Sequence, residues 1–351
     1  MQDNRLSASG EVREFHSQPG LDVTFGLAAT CGRLELLPAL IHLTIMIGSM
    51  NRTTGIRISL TLALILTATN SAFSQLGRLT TQQRIALTRE WKGERFPDGR
   101  PKAPDSVLEG LKDVDAEEAY QTLVGHGYKT QFTDGWQEIN PGGRMVGRVF
   151  TAVFMPFRPD VNDVINDQGK PEERSGSRNT WPIEMLSPGD VLVVDLFGVA
   201  QDGAYPGNQI CTAIFAKSHN GLVVNGALRS DSRLAEIRGM HIFARGFDPS
   251  RFSNTMLMGI NVPIRMGEVT VLPGDLAVSD PEGITFIPPQ FAREIIDNAA
   301  FTHQIDAWGH RMLQLGKYTS GQVDGAWTRQ MIQEFNSWQK QNGQKMRLPE
   351  K

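Results

Sequence analysis

The stretch from Asp190 to Ile237 constrains the fold more tightly than any other part of the chain. Two apolar, strand-like runs occur there: Asp190-Val-Leu-Val-Val-Asp195-Leu-Phe-Gly198 and Gly221-Leu-Val-Val-Asn-Gly226-Ala-Leu-Arg229-Ser230-Asp231. Between them lie Gly207-Asn208-Gln209 and a segment with helical character, Ile210 to Lys217. Each run ends in glycine and polar residues. An α/β protein builds a site in this way, with strands as the rigid frame and the loops at their carboxyl ends as the chemistry. Arg229 falls where the second strand should end, so a fixed cation faces whatever binds there.

The 351 residues suffice for one large domain or two medium ones. A net charge of −3 leaves no polybasic surface for nucleic acid or an anionic membrane. The two cysteines, Cys31 and Cys211, are too few and too far apart for a disulfide framework. No Cys/His cluster has zinc spacing, and neither a dinucleotide-type glycine loop nor a Walker-type loop occurs.

Towards the amino end, Met50 to Arg57 is basic, Ile58 to Leu66 is apolar, and small residues stand at Ala72 and Ser74. Basic start, short apolar run and small residues fit a secretory signal over 50–74, and the run is too short to span a bilayer comfortably. Met50 is then the expected true start, residues 1–49 are an unusual leader or upstream sequence translated by mistake, the mature chain starts near Gln75, and the protein is exported, periplasmic or secreted. Cys211 would be its lone cysteine, a small core residue in an apolar stretch.

Within the remainder, helices are expected over Thr81–Leu87, over Val107–Leu111 with Ser106 as cap, and over Ala116–Gly125. Val146–Met155 reads as a strand stopped by Pro156, and the polar stretch Arg158–Thr180 as a long surface loop. A turn-plus-strand unit occurs twice, as Ser187-Pro-Gly-Asp190 and Leu272-Pro-Gly-Asp275, each followed by an apolar run. The second continues through Asp280-Pro-Glu-Gly283 into Ile284–Ile287 as a hairpin. Beyond Gln290 three helices are expected, Phe291–Ala300, Ala307–Leu315 and Trp327–Trp338. Two Pro-Gly units imply a sheet-rich core rather than one doubly wound series. His303 and His310 share a helix face but stand two turns apart, too far to hold one metal.

The order Pro-Gly-Asp190-Val-Leu-Val-Val-Asp, Gly221-Leu-Val-Val-Asn-Gly-Ala-Leu-Arg229, Pro-Gly-Asp275 and Asp280-Pro-Glu-Gly-Ile-Thr-Phe-Ile-Pro resembles the RraA-like family. That family includes the divalent-metal 4-hydroxy-4-methyl-2-oxoglutarate aldolases and the regulators of ribonuclease E activity. The resemblance covers roughly Val146 to Ile295. It implies an α/β fold, a layered ββα domain over 146–298, between a helical amino-terminal segment (75–145) and a carboxy-terminal helical extension (299–351). It further implies a homotrimer or hexamer with sites near subunit interfaces, and a small 2-oxo acid as substrate. Neither nucleic acid nor stable membrane insertion is expected.

In aldolase members, the resemblance implies that the arginine at the position of Arg229 contacts the substrate carbonyl. The residue after it is normally an aspartate that holds Mg²⁺ or Mn²⁺. The loop matching Gly207, Asn208, Gln209 and Ile210 offers backbone N–H groups to the substrate carboxylate. A metal and an arginine on a 2-oxo acid stabilise the enolate formed when a carbon–carbon bond breaks, in retro-aldol cleavage or decarboxylation. This chain departs at the metal: Ser230 follows Arg229, Asp231 comes one place later, and Asn208 stands where many members have a carboxylate. Neutral donors weaken a site for a hard cation, and a one-residue shift along a strand reverses the face. Arg229 and Asp231 are thus the candidate catalytic residues and Ser230 and Asp231 the candidate ligands. The alternative is a non-catalytic binding or regulatory protein with a degenerate metal site.

Asp195 and Asp280 read as turn formers. Gly316 to Trp327 faintly resembles the turn of peptidoglycan-binding repeats, but its Trp/Phe spacing fits a packed helix better.

Overall fold

The computed structural model describes residues 77–169, 178–198, 204–229, 231–250 and 252–349. The expected leader, the signal segment and Ser230 lie outside them. Helix α1 (Thr81–Leu87) starts at a capping box: the Thr80 hydroxyl accepts from the Gln83 amide at 3.2 Å, and the Gln83 side chain accepts from the Thr80 amide at 2.8 Å. Helix α2 (Asp105–Leu111) follows Pro104, so Ser106 lies inside its first turn and does not cap it. Pro104 pre-sets the backbone there, and Asp105 supplies the acidic group that a helix start favours. Helix α3 (Ala116–Gly125) begins at a second capping box, Asp115 with Glu118.

Two short strands come next, β1 (Phe132–Thr133) and β2 (Gln137–Ile139), in a segment expected to be helical. They are too short to show a period. Pairing with β11 and β6 respectively makes them strands, which is tertiary context overriding local pattern. Strand β3 (Val146–Pro156) is as long as its apolar run. The expected surface loop after it is partly a helix, α4 (Pro159–Gly169), whose buried positions are Asn162, Ile165 and Gly169. The three- and four-residue spacing is helical, but an asparagine and a glycine occupy two of the three positions, so an apolar period is invisible. Gly169 belongs there because the Trp181 ring lies against it. A 3₁₀ turn (Arg178–Thr180) leads into α5 (Trp181–Glu184).

Strand β4 (Asp190–Asp195), α6 (Asn208–Ser218), β5 (Leu222–Leu228), α7 (Asp231–Leu234) and β6 (Ile242–Phe247) alternate in order. Strands β7 (Thr255–Ile260), β8 (Ile264–Met266), β9 (Val269–Val271), β10 (Leu276–Asp280) and β11 (Gly283–Ile287) follow. The main sheet runs β1-β11-β10-β3-β4-β5-β6-β2, with β7 also paired to β3. Strands β3, β4, β5 and β6 are mutually parallel, whereas β1, β2, β7, β10 and β11 pair antiparallel. The centre is therefore a wound parallel series, more so than the twin Pro-Gly units suggested, and the hairpin elements flank it.

The fold is a layered α/β arrangement. One sheet face, with Leu192, Val194, Leu222 and Val224, packs on Cys211 and Ile214 of α6 and on Trp181 and Ile183. The other, with Val191, Val193, Val223 and Phe243, is covered by Ile264, Met266, Val269 and Val271 of the separate β8–β9 hairpin. Alternation along each strand sends neighbouring residues to opposite layers. Cys211 is fully buried, and burial pushes its thiol up to about 12.

Both Pro-Gly turns place glycine at positive φ, Gly189 at 84° and Gly274 at 89°, as a type II turn requires. Each following aspartate accepts a hydrogen bond from the residue three before it: Asp190 from Ser187 N and Asp275 from Leu272 N, both at 2.8 Å. The two units flank β3 at one level, Asp190 opposite Arg148 on one side and Leu276 opposite it on the other.

After a 3₁₀ turn (Pro289–Phe291), α8 (Ala292–Gln314) is one continuous helix where two were expected. Phe301 to Asp306 contains no glycine or proline to break it. Its first half packs Ala292, Ile295 and Ala299 on the core beside α2 and α3. Its second half joins a separate cluster of Trp308, Met312, Met331 and Phe335 with α9 (Ser320–Asp324) and α10 (Arg329–Gln341). Among the described residues no helix is long and apolar enough to cross a membrane.

Candidate functional site

The parallel strands β3 to β6 share one carboxyl edge, where the sequence placed the candidate site. Gly207 is the N-cap of α6 and gives no side-chain cap, so the first amides of the helix, at Asn208, Gln209 and Ile210, find no capping side chain. Helix starts of this kind attract anions. Arg229 follows β5 directly, and its amide donates to the Pro206 carbonyl at 3.2 Å, which ties the strand end to the loop. A Cβ on Gly207 would lie 2.9 Å from Arg229 Nη2 and 3.3 Å from Cζ. The guanidinium thus packs flat on the glycine, and only the missing side chain lets it come so close.

Arg229 Nε is buried and has no acceptor among the described residues. A buried charged donor left unpaired is costly, and an anion seated on the helix start would supply its acceptor. The structure therefore brings Gly207, Asn208 and Arg229 together, with Gln209 and Ile210 in the same first turn. Asp231 opens α7, one residue past Ser230.

Asp280 is a turn former as expected, its Oδ1 accepting from Glu282 N at 2.8 Å and its Oδ2 from Ala116 N at 2.7 Å. Asp195 is more than that. Its Oδ1 accepts from Phe197 N at 3.0 Å and from Asn225 Nδ2 at 3.1 Å. Asn225 Oδ1 in turn accepts from Arg245 Nε at 3.2 Å, and the Arg245 guanidinium stands 3.6 Å over the Trp136 ring. Burial lowers the pKa of Arg245. Sequence reading did not single out Asn225 or Arg245. The available signal was an asparagine inside an otherwise apolar strand, which must find partners when buried.

Among the described residues, one group has metal-like spacing: Asp115, Glu118 and His303, with ligand atoms within 4.8 Å of one another. It joins α3 to α8, away from the Arg229 edge. Its members are already engaged, Asp115 by Arg144, Glu118 by the Asp115 amide, and His303 by Glu118 at 3.0 Å. Such contacts are those of a helix cap and a surface ion pair. The expected ligands Ser230 and the Asp231 side chain lie outside the described residues, and at the Arg229 edge Asn208 offers an amide where a hard cation favours a carboxylate.

The sheet and its helices make this a layered α/β protein, with an arginine and an uncapped helix start at one carboxyl edge of the sheet. Residues 114–286 match the family model RraA-like: Aldolase/RraA, so this stretch carries an RraA-like domain. A provisionally named 4-hydroxy-4-methyl-2-oxoglutarate aldolase of Halalkalibacterium halodurans is 36% identical over 113 residues, which is 32% of this chain and 53% of that protein. The match thus spans about half the length of that relative. The crystal structure of Streptomyces coelicolor RraAS2, described as an unusual member of the RNase ES inhibitor RraA family, aligns with TM-score 0.51 at 29% identity, over 60% of this chain and 99% of that one. An uncharacterised protein of Pseudomonas syringae shares the fold with TM-score 0.52 at 23% identity, over 64% and 100%.

Proposed function

We propose that the chain is a carbon–carbon lyase acting on a small 2-oxo acid such as 4-hydroxy-4-methyl-2-oxoglutarate or oxaloacetate. The observation that carries this reading is the buried, acceptorless Nε of Arg229, packed on Gly207 at the start of α6. The amides of Asn208, Gln209 and Ile210 hold the substrate carboxylate. Arg229 donates to the 2-oxo oxygen and stabilises the negative charge that gathers there as the carbon–carbon bond breaks. Asp231, with Ser230 and Asn208, would hold a divalent cation. When bound, that cation supplies further positive charge to the 2-oxo group.

The second reading is a binding or regulatory protein on the same scaffold, and Ser230 with Asn208 favours it, because both remove an anionic ligand. Assembly as a homotrimer or hexamer is supported by exposed apolar groups along the site edge: Phe157 after β3, Phe197 after β4 and Phe247 at the end of β6. Light scattering on the purified chain tests it. Export rests on the Met50–Gln75 pattern, and amino-terminal sequencing of protein from fractionated cells tests it.

The experiment for the lyase is pyruvate release from both substrates with Mg²⁺ or Mn²⁺, then with chelator. Metal-dependent release that Arg229→Ala abolishes supports the lyase. Release no faster than with metal alone, alongside measurable pyruvate binding, supports the second reading.

A further inference from the structure

The carboxy-terminal helices lie beyond residue 286, where the family match ends. Their cluster of Trp308, Met312, Met331 and Phe335 is separate from the cores of the sheet. Trp308 is buried and its ring lies 4.6 Å from that of Trp327, so the aromatic-rich segment serves as its own core, as its spacing suggested. The end of the chain closes this unit. Helix α10 is capped at Asn342, and Gly343 takes a left-handed φ of 71°. The Gly343 and Gln344 amides donate to the Lys340 and Gln339 carbonyls at 3.2 and 2.9 Å, the double closure of a glycine stop. This stop turns the tail back along α10. The Asn336 side chain donates to the Leu348 carbonyl and accepts from the Leu348 amide, each at 2.9 Å, and the half-buried Leu348 packs on the aromatic cluster.

The stop is also an Asn-Gly pair, and the chain has three: Asn220-Gly221, Asn225-Gly226 and Asn342-Gly343. In such a pair the glycine nitrogen can attack the asparagine Cγ, because no side chain hinders its approach. Ring closure needs the peptide unit between the two residues to rotate and the asparagine amide to leave its partners. The first two pairs are fixed. Asn220 Nδ2 donates to the Val146 carbonyl at 2.8 Å, and the Gly221 N–H already donates to Asn220 Oδ1 at 2.7 Å. Gly221 is also wedged: a Cβ there would lie 2.4 Å from the His241 carbonyl oxygen and from the Met145 sulfur. Asn225 is buried between Asp195 and Arg245, and its own carbonyl accepts from the Leu196 and Gly198 amides. Asn342 differs on each count. It is exposed, a Cβ on Gly343 would meet nothing within 4 Å, and its side chain holds the Trp338 carbonyl of its own last turn at 2.8 Å. Helix ends fray within the last turn, so this pair opens while the other two stay closed.

We propose that Asn342 is a site of spontaneous deamidation and that its reaction unlatches the tail. The Gly343 nitrogen bonds to Asn342 Cγ, the Cγ–Nδ2 bond breaks, and the Gly343 proton leaves with Nδ2 as ammonia, which gives a succinimide. Water then opens the ring at Cγ to aspartate, or at the main-chain carbonyl to isoaspartate. Isoaspartate lengthens the main chain by a carbon, and either product puts a carboxylate at the negative end of α10. The closing bonds of Gly343 and Gln344 are lost, and the strap carrying Leu348 comes off the cluster. The proposal is independent of the chemistry at Arg229. The test is peptide mapping by mass spectrometry on the full chain held at neutral and at mildly alkaline pH, with electron-transfer fragmentation to tell isoaspartate from aspartate. Deamidation at Asn342 should run about tenfold or more ahead of Asn220 and Asn225, and faster at the higher pH, since attack needs the amide proton removed. Trypsin cleavage after Lys345 and Arg347 should rise several-fold in the deamidated fraction. In Asn342→Gln, whose longer side chain closes a ring slowly, cleavage should stay at its starting rate. An intact Asn342, faster reaction at Asn220 or Asn225, or cleavage that does not follow deamidation would overturn the proposal.

Discussion

Arg100 grips both carboxylate oxygens of Asp190, Nη1 to Oδ1 at 2.8 Å and Nη2 to Oδ2 at 2.7 Å, with both side chains buried. The pair joins a segment that precedes the family match to the first Pro-Gly turn. Arg100 also stacks 3.8 Å over the Phe96 ring and meets Asp98 at 3.3 Å, and Asp98 in turn accepts from Asn261 at 2.6 Å. Residues 77–105 are thereby fastened to the sheet at β4 and just past β7. Arg100→Met should cost about 3–5 kcal/mol, the usual consequence of stranding a buried carboxylate. Urea unfolding measures it, and a loss under about 1 kcal/mol would mean that the bridge is not formed.

The second Pro-Gly turn has the same backbone but no matching cation among the described residues. Burial pushes the Asp275 carboxyl up from 3.8 to about 7. Between those values the folded protein holds a proton that the unfolded chain has lost, so stability falls as pH rises through the window and levels above it. The whole effect is on the order of a few kcal/mol. Asp275→Asn keeps the acceptor for Leu272 N and should flatten this slope in denaturation measured from pH 4 to 8. An unchanged slope would place the titrating group elsewhere.

Gly207→Ala tests the packing on which the site depends. The new methyl would meet Arg229 Nη2 at 2.9 Å, while φ of −105° suits alanine, so the backbone is not strained. Pyruvate binding should weaken roughly tenfold or more as the guanidinium is displaced, with only about 1 kcal/mol lost from the helix start. Calorimetry with pyruvate and a melting curve separate the two. Unaltered binding would show that Arg229 works from another position.

Ser230→Asp supplies an anionic oxygen directly after the arginine. Mn²⁺ affinity should rise about tenfold or more, because hard cations follow ligand charge. Titration calorimetry gives the value, and pyruvate release from oxaloacetate gives the consequence. No gain in affinity would leave the cation to donors other than those next to Arg229.

The local order of the fold was legible. The spans of α1 and α3 were read from the chain, the Pro-Gly turns announced β4 and β10, and the run to Arg229 ended where β5 ends, because turns and apolar runs act within a few residues, whereas the cap expected at Ser106 falls inside α2. Helix α4 was not legible, since Asn162 and Gly169 fill two of its three buried positions, and their fit depends on Trp181. The strands β1 and β2 exist only through partners more than a hundred residues away. Sequence by itself determined which loop and which arginine form the candidate site. Tertiary structure alone decided that Arg229 lies flat on Gly207 with an unfilled donor, that Arg100 pairs with Asp190 while Asp275 stays without a cation, and that Asn225 links Asp195 to Arg245. Those relations depend on which distant side chains share a buried volume, and burial there sets both the cost of an unpaired charge and the direction of each pKa.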